Sequence, residues 1–370
     1  MPQSSKHLII GSLDAYSGKS TAVLGLAHCL QQQGLDIAYG KPLGTSVNNR
    51  LDSDSSPDTD ADIDADVEFL AETLNLKADR LCPTLLMVTD ETVEQYIGGA
   101  HRQDYGSALG AAMTHQTVPL VLLEGPGTLD EGYLYGLSLE QMAQAIDASI
   151  VLVIRFHSLR AIERLLAAKQ RLGDRLVGVI LNDVSSLHLP KVETLVKPLL
   201  ENHGLPVVGV VPHNEVLKSV SVGELVTRLE AEVLCSKERM DLMVETLYIG
   251  AMNVNSALEY FRQGRNMAIV TGGDRTDLQL AALETSTQCL VLTGHIAPTP
   301  QILSRAEEME IPILTVDLDT LSTVEIIEQA FGQVSLHDGI KREFVFQMGR
   351  EEFYVDRLLD ILHIPLPSLV

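Results

Sequence analysis

Positive charge is scarce in this chain: 27 Lys and Arg stand against 50 Asp and Glu, a formal net charge of −23 over 370 residues. A negative field of that size repels phosphate backbones and acidic headgroups, so neither a nucleic acid nor a membrane is expected as a partner. A small nucleotide is not excluded, because it binds at a local site with its own lysine and metal. Long apolar runs are missing too. Nothing approaches the roughly 20 residues of a membrane span. The polar stretch Met1–His7 leads directly into a strand and has no signal-peptide features. Cysteine is sparse: Cys29, Cys82, Cys235 and Cys289 lie far apart in apolar surroundings. None has metal-ligand spacing to another, and all read as buried thiols of a reducing compartment. The histidines show no ligand spacing, so no metal is assigned to them. A cytoplasmic location is the expectation.

What is present is globular in character, with 45% hydrophobic and 21% charged residues. At about 100–200 residues per domain, the length suggests two domains. His7–Ile10 reads as a strand, Ser20–Gln33 as a helix ended by Gly34, and Asp36–Tyr39 as the next strand. Further apolar runs lie at Pro119–Leu123, Ser149–Ile154, Val177–Leu181 and Val207–Val211. They are short, rich in Val, Ile and Leu, and do not alternate, as strands buried on both faces of a parallel sheet do not. Helical patterns at Leu159–Leu172 and Lys191–Asn202 separate the later ones. The fold class is therefore α/β. Seven Asp between Asp52 and Asp66 break the rhythm, and residues 47–66 are expected to begin as a loop. The rhythm resets near Pro212–Gly223. A second α/β stretch follows, with strands at Ala268–Val270, Cys289–Leu292 and Ile313–Val316 and helices at Asp277–Thr285 and Thr299–Met309. The expected division is 1–215, 216–340 and a tail, 341–370, packed on the second domain.

The segment Gly11-Ser-Leu-Asp-Ala-Tyr-Ser-Gly-Lys-Ser-Thr21 closes the first strand and opens the first helix. In that context its loop amides and the positive helix N-terminus surround an anion. Tyr16, Ser17 and Gly18 form the cradle, and Gly18 lets the backbone approach phosphate. Lys19 neutralises the terminal phosphates, Ser20 offers its hydroxyl to Mg2+, and Thr21 reaches the α-phosphate. The usual first glycine of such a loop would stand at Leu13; here the nearest is Gly11. Glu124 follows a buried strand and precedes Gly125, a placement suited to holding Mg2+ or ordering water. Lys41, before Pro42 at a strand end, is a candidate phosphate or substrate contact. Asp14 is a candidate for positioning a catalytic water or lysine. Thr271–Asp277 repeats the strand, glycine turn and helix, so Gly272, Gly273 and Arg275 are a candidate anion site. The alternative there is a structural turn or a subunit contact.

Ser12–Ser20 resembles the S-T-x-P-Y-S-G-K-S loop of the dethiobiotin-synthetase-like domain at the N-terminus of long phosphate acetyltransferases. Against the dethiobiotin synthetase loop G-T-D-T-x-V-G-K-T, Asp14, Gly18 and Lys19 match, and Ser12 replaces the leading glycine. Lys41-Pro-Leu-Gly44 is similar to the family's K-P-x-x segment, whose lysine faces substrate and phosphates. Asp64-Ala-Asp66-Val-Glu-Phe69-Leu70 resembles an acidic segment supplying a metal ligand, best matched by Asp66. Glu124-Gly-Pro-Gly127 resembles the metal-binding E-G-x-G turn. Gly178-Val-Ile-Leu-Asn182 resembles the strand whose closing Asn reads the adenine edge. Gly209-Val-Val-Pro-His213 matches the G-x-I-P turn beside the adenine pocket, which brings in Pro212. The likeness covers about residues 6–215. Thr271-Gly-Gly-Asp-Arg-Thr-Asp277, with Thr293-Gly294, resembles the regulatory domain named for a D-R-T-G-G motif. In the long phosphate acetyltransferases a catalytic domain follows that module; here 341–370 follow it, and acetyl transfer is not expected.

The resemblance implies a P-loop NTPase domain with a parallel sheet, followed by a smaller α/β DRTGG domain. It further implies ATP and Mg2+ as cofactors and a homo-oligomer. The first functional expectation is an Mg-ATP-binding regulator or ATPase, whose second domain senses a small anion, binds a protein partner or mediates self-association. The alternatives are an ATP-dependent ligase or cyclase of the dethiobiotin synthetase type, and a non-enzymatic scaffold stabilised by nucleotide.

Overall fold

The apolar runs form the strands their composition demands. The computed structural model describes residues 6–45, 65–99, 103–332 and 339–366. In chain order the first sheet contains β1 (Lys6–Ser12), β2 (Ile37–Gly40), β3 (Leu81–Cys82), β4 (Leu120–Glu124), β5 (Ser149–Arg155), β6 (Leu176–Val184) and β7 (Val207–Pro212). The order across the sheet is β3-β2-β4-β1-β5-β6-β7, and every pairing is parallel. β1 lies at the centre, and its Leu8, Ile9 and Ile10 are fully buried. Parallel strands need covered faces, and helices supply the cover. Helix α1 (Lys19–Gln32) follows β1 and buries Val23, Leu24, Leu26, Ala27 and Leu30. Helix α2 (Ala161–Leu172) follows β5 and buries Leu165, Ala168 and Leu172. The four cysteines are free and buried. Burial pushes the thiols of Cys82 and Cys289 up to about 12, so they pack as apolar groups rather than react.

The chain divides into two compact units, residues 1–213 with 337–370, and residues 214–336. The second is smaller and has its own five-stranded sheet, formed by β8 (Glu232–Cys235), β9 (Thr246–Gly250), β10 (Met267–Gly272), β11 (Thr287–Thr293) and β12 (Ile313–Thr315). Its order is β8-β12-β11-β10-β9, parallel except for the β8 edge. Helix α3 (Thr276–Leu283) follows β10 and buries Leu278, Ala281, Ala282 and Leu283. Among the described residues, no helix is long and apolar enough to cross a membrane. Most of the acidic stretch expected as a loop lies outside the described residues. The helix Ala65–Thr73 begins where they resume.

One expectation is corrected. The C-terminal stretch does not join the second unit; it completes the first. Helix α4 (Gly339–Glu352) crosses α1 where both carry glycine: a Cβ at Gly349 would lie 3.0 Å from the Gly25 carbonyl oxygen. Beside this crossing the rings of His28 and Phe346 stack at 3.7 Å and 11°. Beyond it, Phe353 makes an antiparallel bridge to Gly209, and the Tyr354 amide donates to Val208 O at 2.9 Å. The tail thereby covers the open edge of β7, which would otherwise present unpaired backbone groups. An amphipathic segment shows in sequence that it must dock; the matching surface on α1 and β7 shows only in three dimensions.

Two outcomes follow from this contact. Gly349→Val overpacks the crossing and lowers stability by about 1–3 kcal/mol, read as a drop in thermal midpoint. His28 is held below its ordinary value of 6.5, chiefly by burial and then by the Arg350 charge. The unfolded chain therefore binds the proton more readily. Stability is fullest above that value and declines as pH falls from it toward the folded-state pKa. His28→Phe, which keeps the stack, flattens the thermal midpoint between pH 7 and pH 5.

Candidate functional site

Parallel register brings the site together. Ile10 pairs with Glu124, Ser12 with Val153, and Arg155 with Asn182. The C-terminal ends of β1, β4, β5 and β6 thus share one edge, where an open α/β sheet has its crevice. The loop after β1 opens there. Gly18 precedes α1 at φ +90°, in the left-handed region, and Tyr16 also lies there at φ 57°. Tyr16 is exposed, while Ser17 and Thr21 are buried. Ser17 Oγ donates to Asp14 O at 2.6 Å, a bond within the loop itself.

Glu124 is the hub. It is 2% exposed, and a carboxylate so placed must be compensated. Ser20 Oγ donates to its Oε1 at 2.9 Å, Lys19 Nζ lies 3.8 Å from the same oxygen, and the buried Tyr39 hydroxyl donates to Oε2 at 3.4 Å. Lys19, Ser20 and Glu124, all singled out in sequence, therefore converge. Ser20 and Glu124 are hard oxygen donors in contact and fit Mg2+, which takes one or two carboxylates and completes its shell with water and phosphate. Among the described residues, no group of three or more His, Cys, Asp or Glu could hold a metal by itself. Asp64 and the side chain of Asp66 lie outside the described residues. Lys41 is buried just past the end of β2, at 5% exposure.

Asn182, in β6, spans to the phosphate loop. Its Nδ2 donates to Ser17 O at 2.8 Å. A Cβ at Gly18 would lie 2.2 Å from that nitrogen. Glycine at this position thus meets two demands, a positive φ and a close neighbour. The following residue, Asp183, is buried at φ 60° and accepts from His213 Nδ1 at 2.5 Å. That bond joins the end of β6 to the residue after Pro212, which closes β7.

Sequence reading missed three participants. Arg164, on α2, holds Asp14 through two bonds of 2.7 Å each. Its guanidinium keeps the Asp14 carboxyl below the usual carboxylate range, chiefly by hydrogen bonding and then by charge, with burial opposing more strongly than the charge helps. Tyr39, within the strand expected at Asp36–Tyr39, reaches Glu124 with its hydroxyl. Glu131 accepts from the Gly127 amide. Arg164 and Tyr39 act across long stretches of chain that no local pattern encodes, and Glu131 reaches back within a turn that carries no sequence signature.

In the second unit, Gly272 ends β10 and Gly273 follows it. A Cβ at Gly273 would lie 2.0 Å from Ile296 O, so the turn is packed against chain. Gln279 Nε2 donates to both glycine carbonyls, at 3.1 and 3.0 Å. The Arg275 guanidinium does not gather with the turn amides. It pairs with Asp277 through two bonds of 3.1 Å and donates to Met252 O at 3.0 Å.

Residues 6–221 match the family described as AAA domain, and residues 224–330 match the DRTGG domain. The two lie in the order found in the N-terminal region of long phosphate acetyltransferases. The chain is similar to the phosphate acetyltransferase of Synechocystis sp., at 25% identity over 377 residues, covering 96% of this chain and 51% of that protein. The chain spans about half the length of the curated phosphate acetyltransferases it matches. Among solved structures it is similar to the CBS and DRTGG domains of Clostridium perfringens pyrophosphatase, complexed with the activator diadenosine tetraphosphate. That likeness has a TM-score of 0.27 at 19% identity and covers 41% of this chain and 72% of that one. It is also similar to a nucleotide-binding protein from Archaeoglobus fulgidus in complex with ADP. There the TM-score is 0.33 at 10% identity, covering 57% of this chain and 82% of that one.

The contact between Asn182 and the loop yields a coupling test. Gly18→Ala strains a left-handed position and strikes the Asn182 amide, costing about 1–3 kcal/mol. In an Asn182→Ala background the same substitution costs less, because the struck group is gone. A double-mutant cycle by chemical denaturation measures the difference.

Proposed function

The chain belongs to the family described as AAA domain, matched over residues 6–221, and carries a DRTGG domain after it; from that premise we propose that it is an Mg-ATP-binding regulatory protein. The observation that carries the reading is the convergence of Lys19, Ser20 and Glu124 behind a loop that opens a helix. Loop amides and the α1 N-terminus receive the phosphates. Lys19 leaves Glu124 for the terminal phosphates, and Ser20 with Glu124 holds Mg2+, whose role is to neutralise phosphate charge. Asp66 joins them as a further carboxylate on the strength of the resemblance. Thr21 contacts the α-phosphate, while Asn182 and Pro212 border the base. Asp14, braced by Arg164, sets the loop, and Lys41 faces the phosphates or a second substrate. The regulatory role rests on the DRTGG domain, with Gly272, Gly273 and Arg275 as its proposed ligand or subunit contact. A homo-oligomer and a cytoplasmic location complete the proposal.

A ligase or cyclase is the second reading. It is favoured by the resemblance of Lys41-Pro-Leu-Gly44 to the segment whose lysine faces substrate and phosphates.

Titration calorimetry with Mg-ATP, paired with a phosphate-release assay, tests these readings. Lys19→Ala is expected to weaken binding at least tenfold, about 1.4 kcal/mol. Glu124→Ala is expected to lose the Mg2+ dependence of binding. Thermal midpoints are followed in parallel, because Lys19→Ala leaves Glu124 with only neutral donors. Absent ATP binding, or binding indifferent to Lys19, overturns the proposal. Turnover that appears only with an added amine or acid selects the ligase.

A further inference from the structure

The turn after Glu124 begins Gly125-Pro126-Gly127. The Gly125 amide is taken by Ile10 O at 2.9 Å, and Pro126 has no N–H. The Gly127 amide is the next, and the Glu131 carboxylate holds it. This peptide is fixed at the loop's margin: Ser12 Oγ donates to Gly127 O at 2.8 Å, and a Cβ at Gly127 would lie 3.8 Å from Ala15 Cβ. Glu131 is itself set by a local turn, in which its amide donates to Thr128 Oγ1 at 3.1 Å. A side-chain anion therefore sits on a backbone donor beside the phosphate loop, one turn from the metal-binding carboxylate.

We propose that Glu131 stands in for the terminal phosphate of a nucleoside triphosphate and must leave the Gly127 amide for that phosphate to bind. The inference rests on the nucleotide reading above and deepens it. An amide bonded to a carboxylate is a charge-assisted donor. Two anions cannot share it, because like charges at contact repel. A diphosphate reaches the loop amides and Lys19 without competing for Gly127. A triphosphate adds the group that competes. Glu131 thus lowers affinity for the triphosphate selectively, and its release marks the triphosphate-bound state. The following segment is built to turn at that point, since Gly132 and Gly136 both lie at positive φ around the one-turn helix Tyr133–Tyr135.

The experiment compares Mg-ADP with Mg-β,γ-imido-ATP by titration calorimetry on the full chain. Glu131→Ala and Glu131→Gln are each expected to bind the triphosphate analogue roughly tenfold more tightly, the order of a charge-assisted hydrogen bond, with ADP affinity unchanged. Asp130→Asn removes a neighbouring charge that pairs with Arg171. It is expected to leave the ADP-to-triphosphate ratio as in the parent. If both nucleotides tighten equally, or Asp130→Asn reproduces the effect, general charge is responsible and the proposal fails. Weaker triphosphate binding in the Glu131 variants also overturns it, because Glu131 then contacts the ligand. A parent chain that binds both nucleotides, with an unmoved ratio in the variants, sinks this inference alone. Binding of neither nucleotide by parent and variants sinks the nucleotide reading with it.

Discussion

A carboxylate buried at the end of β4 organises the first unit. Glu124 is 2% exposed, so its charge must be met by side chains rather than water. Lys19 and Ser20 come to it from the start of α1, and Tyr39 comes from β2. Those contacts fix where α1 begins relative to the sheet, and hence the shape of the loop before it. Breaking a buried pair by removing one partner is far costlier than never building it. In the proposed Mg-ATP complex, phosphates claim Lys19 while the divalent cation takes over Glu124.

The surrounding loop is held by contacts from distant parts of the chain. Asn182 fixes the Ser17 carbonyl, Arg164 fixes Asp14, and Ser12 fixes the Gly127 carbonyl. The loop therefore has a defined shape before any anion arrives, and less ordering has to accompany binding. The chain path adds a further link. The second unit is an insertion within the first, leaving after His213 and returning before α4. His213 bonds Asp183, the neighbour of Asn182, and α4 packs on the helix that begins at the loop.

Much of the fold was legible from composition and rhythm. The strands at Pro119–Leu123, Ser149–Ile154, Val177–Leu181 and Val207–Val211 all appear where expected, the third running on past Leu181 to Val184, because uninterrupted Val, Ile and Leu runs have few other stable states. The helix after Lys19 and the packing of Cys29, Cys82, Cys235 and Cys289 were legible for similar reasons. Short strands were not. Leu81–Cys82 and Glu232–Cys235 are recruited by their neighbours rather than by their own pattern. The docking partner of the tail was unreadable as well: amphipathicity shows that a face is buried, but not against what.

The family resemblance brought in Asn182. The sequence by itself determined the α/β class, the phosphate loop and the identities of Lys19, Ser20 and Glu124 as site candidates. These follow from local rules: residue type, spacing, and position at the end of an apolar run. Only the tertiary structure decided that Asn182 grips the loop, that Arg164 and Tyr39 serve it, that Glu131 occupies the Gly127 amide, and that the tail seals β7. Each of those rests on directional hydrogen bonding, and all but the Glu131 bond join distant parts of the chain that the sheet brings together.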